Sequence, residues 1–239
     1  MRRHELLREV WEEGGTHPID KEHLRVGAKK MKKQLLVAAG IACFMLTLWA
    51  CSKAPETYYP LGEGRTWKYQ MSLKTGFGET QGVALTVSNL ASRELKGKKV
   101  TPQKFEAQAQ GQPHTFFEYV AEDANGIYTF AEQDADDVEP KIKSVPEYDL
   151  RNPLKVGNAW NTTLDLGGGR SVPAKATIAS IDEVVDGPAG TFNGCVKVQI
   201  IGTVKEATGP QAYNWYAPSV GLVKSIEPAG SLQLQSFTK

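Results

Sequence analysis

Few side chains in this sequence have the types and spacing that chemistry requires. His114 is the only histidine between residues 51 and 239. It stands beside a turn, so we expect a solvated residue, and a zinc site of several histidines is excluded there. Cys195 has no cysteine to pair with, because Cys43 lies in an apolar stretch that we expect to be removed and Cys51 is assigned another role below. Alternation along its strand puts Cys195 on the Lys197 side and predicts partial exposure, but nothing nearby activates the thiol.

Carboxylates cluster in the stretch from Asp134 to Glu139. Calcium binds clustered oxygens, but the central glycine and fixed ligand offsets of an EF-hand are absent. We expect a solvated connection, with a weak calcium site as the alternative. The run from Gly167 to Ser171 lacks the end of a phosphate loop and is typical of a hairpin turn. No Gly-x-Ser-x-Gly nucleophile motif occurs. The sequence thus predicts no metal ion, no cofactor and no catalytic residue.

The N-terminal residues carry a signature of export. A basic start at Met31 precedes an apolar stretch, residues 35–50, that ends Leu-Trp-Ala-Cys51. A basic region, an apolar region and a small residue before the cut predict a secretory signal peptide over residues 31–50. The stretch is also short for a membrane span, which needs about 20 residues. Residues 1–30 are then an over-extended gene start or a disordered extension, with a genuine cytoplasmic extension as the alternative.

The Leu-x-Ala-Cys ending resembles the lipobox of bacterial lipoproteins. In that family the cysteine sulfur receives diacylglycerol and the chain is cut before it, so the resemblance implies lipidation at Cys51. Trp49 departs from the pattern, in which that residue is usually small or hydroxylated. An uncleaved membrane anchor and a plain signal peptide therefore remain alternatives. Ser52, in place of the aspartate that retains lipoproteins at the inner membrane, implies the outer membrane. Residues 51–60 are then a lipidated tether, because several acyl chains hold a protein durably.

The rest of the composition is that of an ordinary globular protein. Residues 51–239 hold nineteen Lys/Arg and twenty-one Asp/Glu, a net charge of −2. This balance gives no electrostatic footprint for nucleic acid. We expect a single β domain over residues 61–239, with the membrane as a partner through the lipid anchor.

A short sequence motif, which we term the phrase, occurs twice in this domain. Pro-Leu-x-x-Gly-x-x-Trp ends at Trp67 and recurs with its end at Trp160. A second pair of similar segments, one around Tyr119 and one around Tyr216, follows the two copies of the phrase in the same order. Two matching signals in one order predict a duplicated unit of about ninety residues. We place the two units at about 58–133 and 151–237, with a connection at 134–150.

The phrase has a structural reason. Proline is tolerated at the first residue of a strand, and Gly64 and Gly157 supply turn geometry that other residues resist. Trp67 and Trp160 are then the first large side chains to face inward. We predict both as core anchors, since large aromatics dominate core burial. A surface that stacks on carbohydrate is the alternative.

Alternation of polar and apolar residues predicts an antiparallel all-β fold with no helix after residue 51. The run from Trp67 to Lys74 alternates without a break. Two such meanders form a strongly curved, half-open sheet or a barrel. We favour the curved sheet around one core, because each unit alone would leave an exposed edge. Strands are expected near 65–74, 80–90, 98–109, 114–121, 126–132, 158–166, 171–183, 194–205, 211–217, 221–227 and 231–237.

The second unit carries a longer pattern. A Gly-Thr-Phe turn at 190–192 precedes Trp-Tyr-Ala-Pro-x-x-Gly-Leu-Val at 215–223. With the repeated phrases, these residues resemble bacterial lipoproteins and domains of unknown function. The resemblance spans most of residues 58–227. Its motifs are structural, so it implies no catalytic residue.

Two functions remain open from the sequence. The first is a non-catalytic outer-membrane lipoprotein, facing the periplasm, whose sheet binds an apolar ligand or a protein partner of the envelope. The second is an envelope hydrolase that uses dispersed carboxylates on the sheet. The shortage of histidine and the lack of a catalytic motif favour the first. An apolar pocket would support binding, and paired carboxylates in a cleft would support the hydrolase.

Overall fold

A computed structural model describes residues 57–74, 80–109, 112–167, 170–203 and 208–239. They belong to Pro55–Lys239, one of two compact units into which the chain divides. The signal peptide and lipidation at Cys51 lie outside the described residues and stay predictions. The hydrophobic clusters of the Pro55–Lys239 unit are built from its own residues. Among the described residues, this unit therefore has a hydrophobic core of its own.

The described residues form thirteen strands and no helix, so the predicted all-β class is confirmed. Within them no helix has the length and apolar content that crossing a membrane requires. The first seven strands are β1 (Thr66–Lys74), β2 (Thr80–Asn89), β3 (Arg93–Leu95), β4 (Lys98–Ala109), β5 (Gln112–Asp123), β6 (Gly126–Asp134) and β7 (Lys141–Arg151). The other six are β8 (Ala159–Gly167), β9 (Arg170–Gly187), β10 (Gly190–Thr203), β11 (Thr208–Ala217), β12 (Gly221–Glu227) and β13 (Gly230–Thr238).

The strands follow one another around a nearly closed, antiparallel barrel. Their order is β7-β6-β5-β4-β2-β1-β13-β12-β11-β10-β9-β8, with β3 paired to β4 beside this path. The first and last strands pair along their length, from Thr66 opposite Thr238 to Leu73 opposite Gly230. Each half of the chain is therefore a meander, and the ladder between β1 and β13 joins the two halves.

The barrel has one seam, between β7 and β8, which are consecutive in the chain. No backbone ladder joins these two strands among the described residues. Side chains cross the seam instead. The indole Nε1 of Trp160 donates to the backbone oxygen of Tyr148 at 2.8 Å, and the Thr163 hydroxyl donates to the Glu147 carboxylate. Of the two forms predicted, the sheet thus takes the more closed one.

The structure differs from the sequence interpretation at two strands, β3 and β7. The stretch 134–150, expected as a connection, contains most of β7. Pro146 argues against a strand in the sequence, but it lies where the ladder between β6 and β7 shifts register, between the pairs of Ile142 and Glu147. Proline is compatible with an edge strand or a bulge, where no ladder bond is lost.

Cys195 is fully buried, so the predicted partial exposure of this residue is wrong. The ladder between β9 and β10 shifts register on both sides of Cys195. Such bulges break the alternation of faces along a strand, and Cys195 packs in one cluster with Trp215 and Val223. Burial, followed by the charge of Glu183, raises the pKa of the thiol to about 11. The cysteine is therefore a core residue with an unreactive thiol.

Candidate functional site

The two tryptophans of the repeated phrase are both buried. Trp67 is 4% exposed and Trp160 is 3% exposed. The indole Nε1 of Trp67 donates to the backbone oxygen of Val220 at 2.7 Å, as that of Trp160 does to Tyr148. Neither ring forms a platform for carbohydrate on the outer surface. Both positions have the burial that a core anchor requires, while the duplication itself stays a prediction.

The glycines of the phrase adopt the same backbone conformation. Gly64 has a φ of 79° and Gly157 a φ of 86°. The amide of Gly64 donates to the oxygen of Asn89 at 3.0 Å, and that of Gly157 donates to the oxygen of Ile178 at 2.9 Å. Each glycine thus turns the chain just before a strand begins.

The tyrosines of the second signal have different surroundings. Tyr119 is buried beside the guanidinium of Arg93, which donates to its hydroxyl at 2.8 Å, and its own hydroxyl donates to Gln133. Tyr216 is buried next to Tyr59, with their ring centroids 6.2 Å apart. Only Tyr216 of this pair lies at the cavity described next.

A cavity of about 460 Å³ occupies the inside of the barrel, and we term it the central cavity. Strand β1 supplies one row of its wall, because alternate side chains of a strand face the same side. That row consists of Trp67, Tyr69, Met71 and Leu73. It is the alternating run that the sequence analysis identified as a half-buried strand. The alternation therefore marked cavity-lining residues.

One part of the lining, the apolar wall, consists of Met71, Leu73, Phe105, Phe116 and Leu232. Phe105 and Phe116 are direct partners in the ladder between β4 and β5, and their rings stack with centroids 4.5 Å apart. Met71 faces Leu232 across the ladder that joins the two halves. This wall offers contact to a hydrocarbon surface.

Another part, the polar wall, consists of Tyr59, Glu118, Asp149, Asn214 and Tyr216. Glu118 comes from β5, Asp149 from β7, and Asn214 and Tyr216 from β11. The Tyr59 hydroxyl donates to Oε1 of Gln103 at 3.0 Å. The polar wall thus joins strands from both halves of the chain.

The carboxyl groups of the polar wall hold their protons more tightly than usual. Burial raises the pKa of Glu118 to about 7, the charges of Glu132 and Glu147 act in the same direction, and Lys143 opposes them. Burial also raises the pKa of Asp149 well above its ordinary value, with Glu118 and Glu147 adding to the effect. Low dielectric and neighbouring like charges both disfavour the ionised form.

The phenol groups of Tyr59 and Tyr216 follow the same trend. Burial, then the negative charge of Asp149, raises the pKa of both Tyr59 and Tyr216. A hydrogen bond with Asn214 partly offsets this in Tyr216. Asp149 and Asn214 thus both affect the pKa of Tyr216, and all three side chains line the central cavity.

Two atoms of the polar wall have no hydrogen-bond partner. Oδ2 of Asp149 and Oδ1 of Asn214 are buried, and no described residue donates to either. Buried polar atoms in folded proteins are nearly always paired. Both side chains line the central cavity, so a molecule inside it could supply the missing donors.

The other residues weighed from the sequence lie away from this cavity. His114 is exposed. In the acidic stretch, Lys141 pairs with Asp137 at 2.8 Å and approaches Asp134 at 3.7 Å. Among the residues that the structure describes, no group of three or more His, Cys, Asp or Glu side chains is arranged to hold a metal ion.

Sequence reasoning did not identify Glu118, Asp149 or Asn214 as site residues. For Glu118 a signal existed, because it shares the parity of Phe116 on β5 and therefore faces inward with that ring. Asp149 fell in the stretch expected as a connection. The inward placement of Asp149 depends on β7 closing against β8, which no local pattern indicates.

Comparison with known proteins leaves the chain without a family assignment. No protein-family model matches it, and no curated protein matches it significantly. A solved Bacteroides fragilis protein, described as exported and with a YmcC-like fold, shares 17% identity at a TM-score of 0.44; the match covers 77% of this chain and 100% of that one. A Parabacteroides distasonis protein described as a lipoprotein shares 14% identity at a TM-score of 0.39, over 78% and 100%. At such values neither similarity decides fold or function, and the resemblance to bacterial lipoproteins stays a prediction.

Proposed function

We propose that the protein is a lipoprotein of the bacterial cell envelope that binds an apolar ligand in its central cavity and does not transform it. The observation that carries the proposal is the cavity of about 460 Å³ inside the barrel. Ligand pockets typically measure about 300–1,000 Å³ and combine an apolar lining with a few grouped polar side chains. The apolar wall and the polar wall have this composition.

Location in the envelope is proposed from the sequence. The basic start at Met31, the apolar stretch and the Leu-x-Ala-Cys51 ending support export and lipidation. Ser52 supports the outer membrane, with the barrel facing the periplasm. A palmitate analogue should label the wild-type chain in its host and leave Cys51→Ala unlabelled. Equal labelling of the two chains would contradict lipidation at this cysteine.

Ligand binding is tested on protein purified from its own host. The Pro55–Lys239 unit, secreted behind a cleavable signal peptide and kept free of detergent, should retain a small molecule in native mass spectrometry. Ala229 lies in the turn between β12 and β13 and lines the cavity. Ala229→Phe should therefore reduce the retained fraction. Ala124→Phe, in an exposed turn between β5 and β6, is the matched control. A co-purified protein in place of a small molecule would favour the protein-partner alternative.

A specific observation also favours the hydrolase as a second candidate. Glu118 and Asp149 line the same cavity, and the charge of Glu118 adds to the burial that raises the pKa of Asp149. A carboxyl group with a pKa of about 7, as Glu118 has, can act as a general acid or base near neutral pH. Hydrolysis of nitrophenyl esters or glycosides that is lost in Glu118→Gln and kept in Glu122→Gln would establish it. Glu122 is exposed on the same strand.

A further inference from the structure

The chemistry of the bound molecule can be read from the polar wall, on the premise that the cavity binds a ligand as proposed. Oδ2 of Asp149 and Oδ1 of Asn214 are buried acceptors without a described donor. Leaving a buried acceptor unpaired is costly. Both side chains line the central cavity together with Tyr216, so one molecule in this cavity could contact both oxygens. Oδ1 of Asn214 can only accept, and Oδ2 of Asp149 accepts once its carboxyl is ionised, so a cationic ligand placed there could donate hydrogen bonds to both.

The charge of the lining selects among possible donors. Of the lining side chains that the structure describes, Glu118, Asp149 and Glu227 carry carboxyl groups, and none carries an amine or a guanidinium. A positively charged group within the cavity would meet several acidic groups and no competing cation. Charge-assisted hydrogen bonds are about twice as strong as neutral ones. The lining therefore favours a cationic donor over a neutral one.

Lys143, the cation whose charge acts on both Glu118 and Asp149, is already engaged. Nζ of Lys143 lies 2.7 Å from Glu132 and 2.7 Å from Glu147. Lys143 therefore pairs with these two carboxylates, and Oδ2 of Asp149 remains without a described donor. A metal ion does not fit in its place, because the described residues include no arrangement of three or more ligating side chains. An organic cation remains.

The rest of the cavity fits a hydrocarbon. Met71, Leu73 and the stacked rings of Phe105 and Phe116 form the apolar wall beside the polar one. We infer that the cavity takes an amphipathic amine, whose ammonium head donates to Asp149 and Asn214 while its hydrocarbon part lies along the apolar wall. The aromatic rings of Tyr59 and Tyr216 would flank the head, as rings commonly do around cations.

Binding of such a cation would be linked to proton release. The pKa values of Glu118 and Asp149 are raised. A nearby positive charge lowers a carboxyl pKa, so the amine would expel protons that these groups hold near neutral pH. The titratable groups that face the two carboxyls are Glu132, Lys143, Glu147, Tyr59 and Tyr216.

A head-group series separates the head chemistry from apolar binding. The Pro55–Lys239 unit is titrated with dodecylamine and dodecanoate below their micelle-forming concentrations, and with dodecanol within its solubility limit. Dodecylamine should bind about tenfold more tightly than dodecanol, as expected for an added charge-assisted hydrogen bond, and dodecanoate most weakly. Calorimetry at about pH 7, in two buffers of different ionisation enthalpy, should detect proton release for the amine and none for the alcohol.

A substitution assigns the preference to the polar wall. Asp149→Asn should reduce the preference for the amine to about twofold while dodecanol affinity is kept. Asp182→Asn, at an exposed position of β9, is the matched control and should keep the full preference. Circular dichroism verifies that each variant is folded. If Asp149→Asn does not fold, the head-group series on the wild-type protein still tests the preference for the amine.

The outcomes distinguish this inference from the proposed function. Equal binding of amine and alcohol, or tighter binding of dodecanoate, would overturn the amine and leave the apolar cavity site intact. Failure of every probe to bind folded wild-type protein would overturn both. A preference for the amine that survives in Asp149→Asn would overturn the role of this carboxyl.

Discussion

Trp67 and Trp160 end the same phrase and donate to backbone oxygens with nearly the same geometry, yet they lie in different parts of the barrel. Trp67 lines the central cavity and bonds Val220, which precedes β12. Trp160 bonds Tyr148 of β7 and thereby holds the seam. One copy of the phrase builds the cavity wall, and the other closes the sheet.

The turns before the two tryptophans are supported by an asparagine in each case, but from different places. Asn89, at the end of β2, donates from its side chain to the oxygens of Pro60 and Gly62, at 3.0 Å each. In the second copy the donor is Asn158, inside the phrase, and it bonds Arg151 and Pro153 at 2.9 Å each.

The residue whose backbone oxygen accepts the amide of the phrase glycine also differs between the two copies. Asn89 and Ile178 occupy equivalent places, since each accepts the amide of the phrase glycine. Asn89 is 2% exposed, and it accepts from Nε2 of Gln103 at 2.9 Å. Gln103 in turn holds Tyr59 of the polar wall. A shared turn and a shared tryptophan thus fix where a strand begins. The neighbouring residues decide whether that strand lines the central cavity or closes the seam.

Removing each tryptophan should have the largest effect. Trp67→Ala and Trp160→Ala should each lower the free energy of unfolding by about 3–5 kcal/mol, the usual cost of deleting a large buried aromatic. Because one sheet joins both halves, thermal melting of the Pro55–Lys239 unit should show one transition in each variant. Only Trp67→Ala should also alter binding of an apolar probe.

The conservative variants provide the control for the tryptophans. Trp67→Phe and Trp160→Phe keep a ring and remove the indole donor, so each should cost less than the alanine variant. Two resolved transitions, each sensitive to one substitution, would show two separate domains. Unchanged melting in both alanine variants would contradict the role of these residues as core anchors.

The two asparagines offer the next test. Asn89→Ala leaves buried groups of Pro60 and Gln103 without partners, so it should cost about 2–3 kcal/mol. Asn158 is half-buried and water can replace its side chain, so Asn158→Ala should cost about 1 kcal/mol. Urea denaturation measures both. Equal costs would mean that the first turn does not depend on a buried network.

How much of this could be predicted differs between fold and site. Eleven of the thirteen strands were predicted from polar–apolar alternation, as in the run after Trp67, and from glycine turns. These signals are local, so the sequence carries them directly. Strand β7 was missed because Pro146 and acidic neighbours mask its alternation, and edge pairing tolerates both. Cys195 was placed on the wrong face because bulges cannot be read from residue types. Asp149 became a site residue only when the seam brought β7 against the other half.

Glu118 at the cavity and Glu147 at the seam should respond oppositely to pH. The pKa of Glu118 rises from 4.5 to about 7 on folding, so the folded state keeps a proton that the unfolded chain releases. Stability should therefore fall as pH rises between these values, on the order of 3 kcal/mol from this group. Glu118→Gln should flatten the dependence, and Asp149, whose pKa is also raised, should retain part of it.

The seam supplies the matched contrast for this pH prediction. Burial alone would raise the pKa of Glu147, but hydrogen bonds from Lys143 and Thr163 bring it below its ordinary value. Glu147 therefore contributes stability that is lost as pH falls below about 4.5. Glu147→Gln should remove this loss of stability at acidic pH, while the fall in stability toward higher pH should remain. Urea denaturation across the pH range compares the variants. If the stability profile of Glu118→Gln is identical to that of the wild type, the pKa of Glu118 is not raised on folding.

The smallest effects should come from the glycines, where the two copies are expected to behave alike. Gly64 and Gly157 have positive φ values, and a Cβ added at either would meet no atom within 4 Å. The cost of Gly64→Ala or Gly157→Ala is therefore the left-handed backbone alone, about 1 kcal/mol. Asparagine tolerates this conformation better, so Gly→Asn at either site should cost less than Gly→Ala. Equal losses would show that the turns are equivalent although their asparagine supports differ. A clearly larger loss at Gly64 would instead mean that the Asn89 network constrains the first turn beyond its backbone angles.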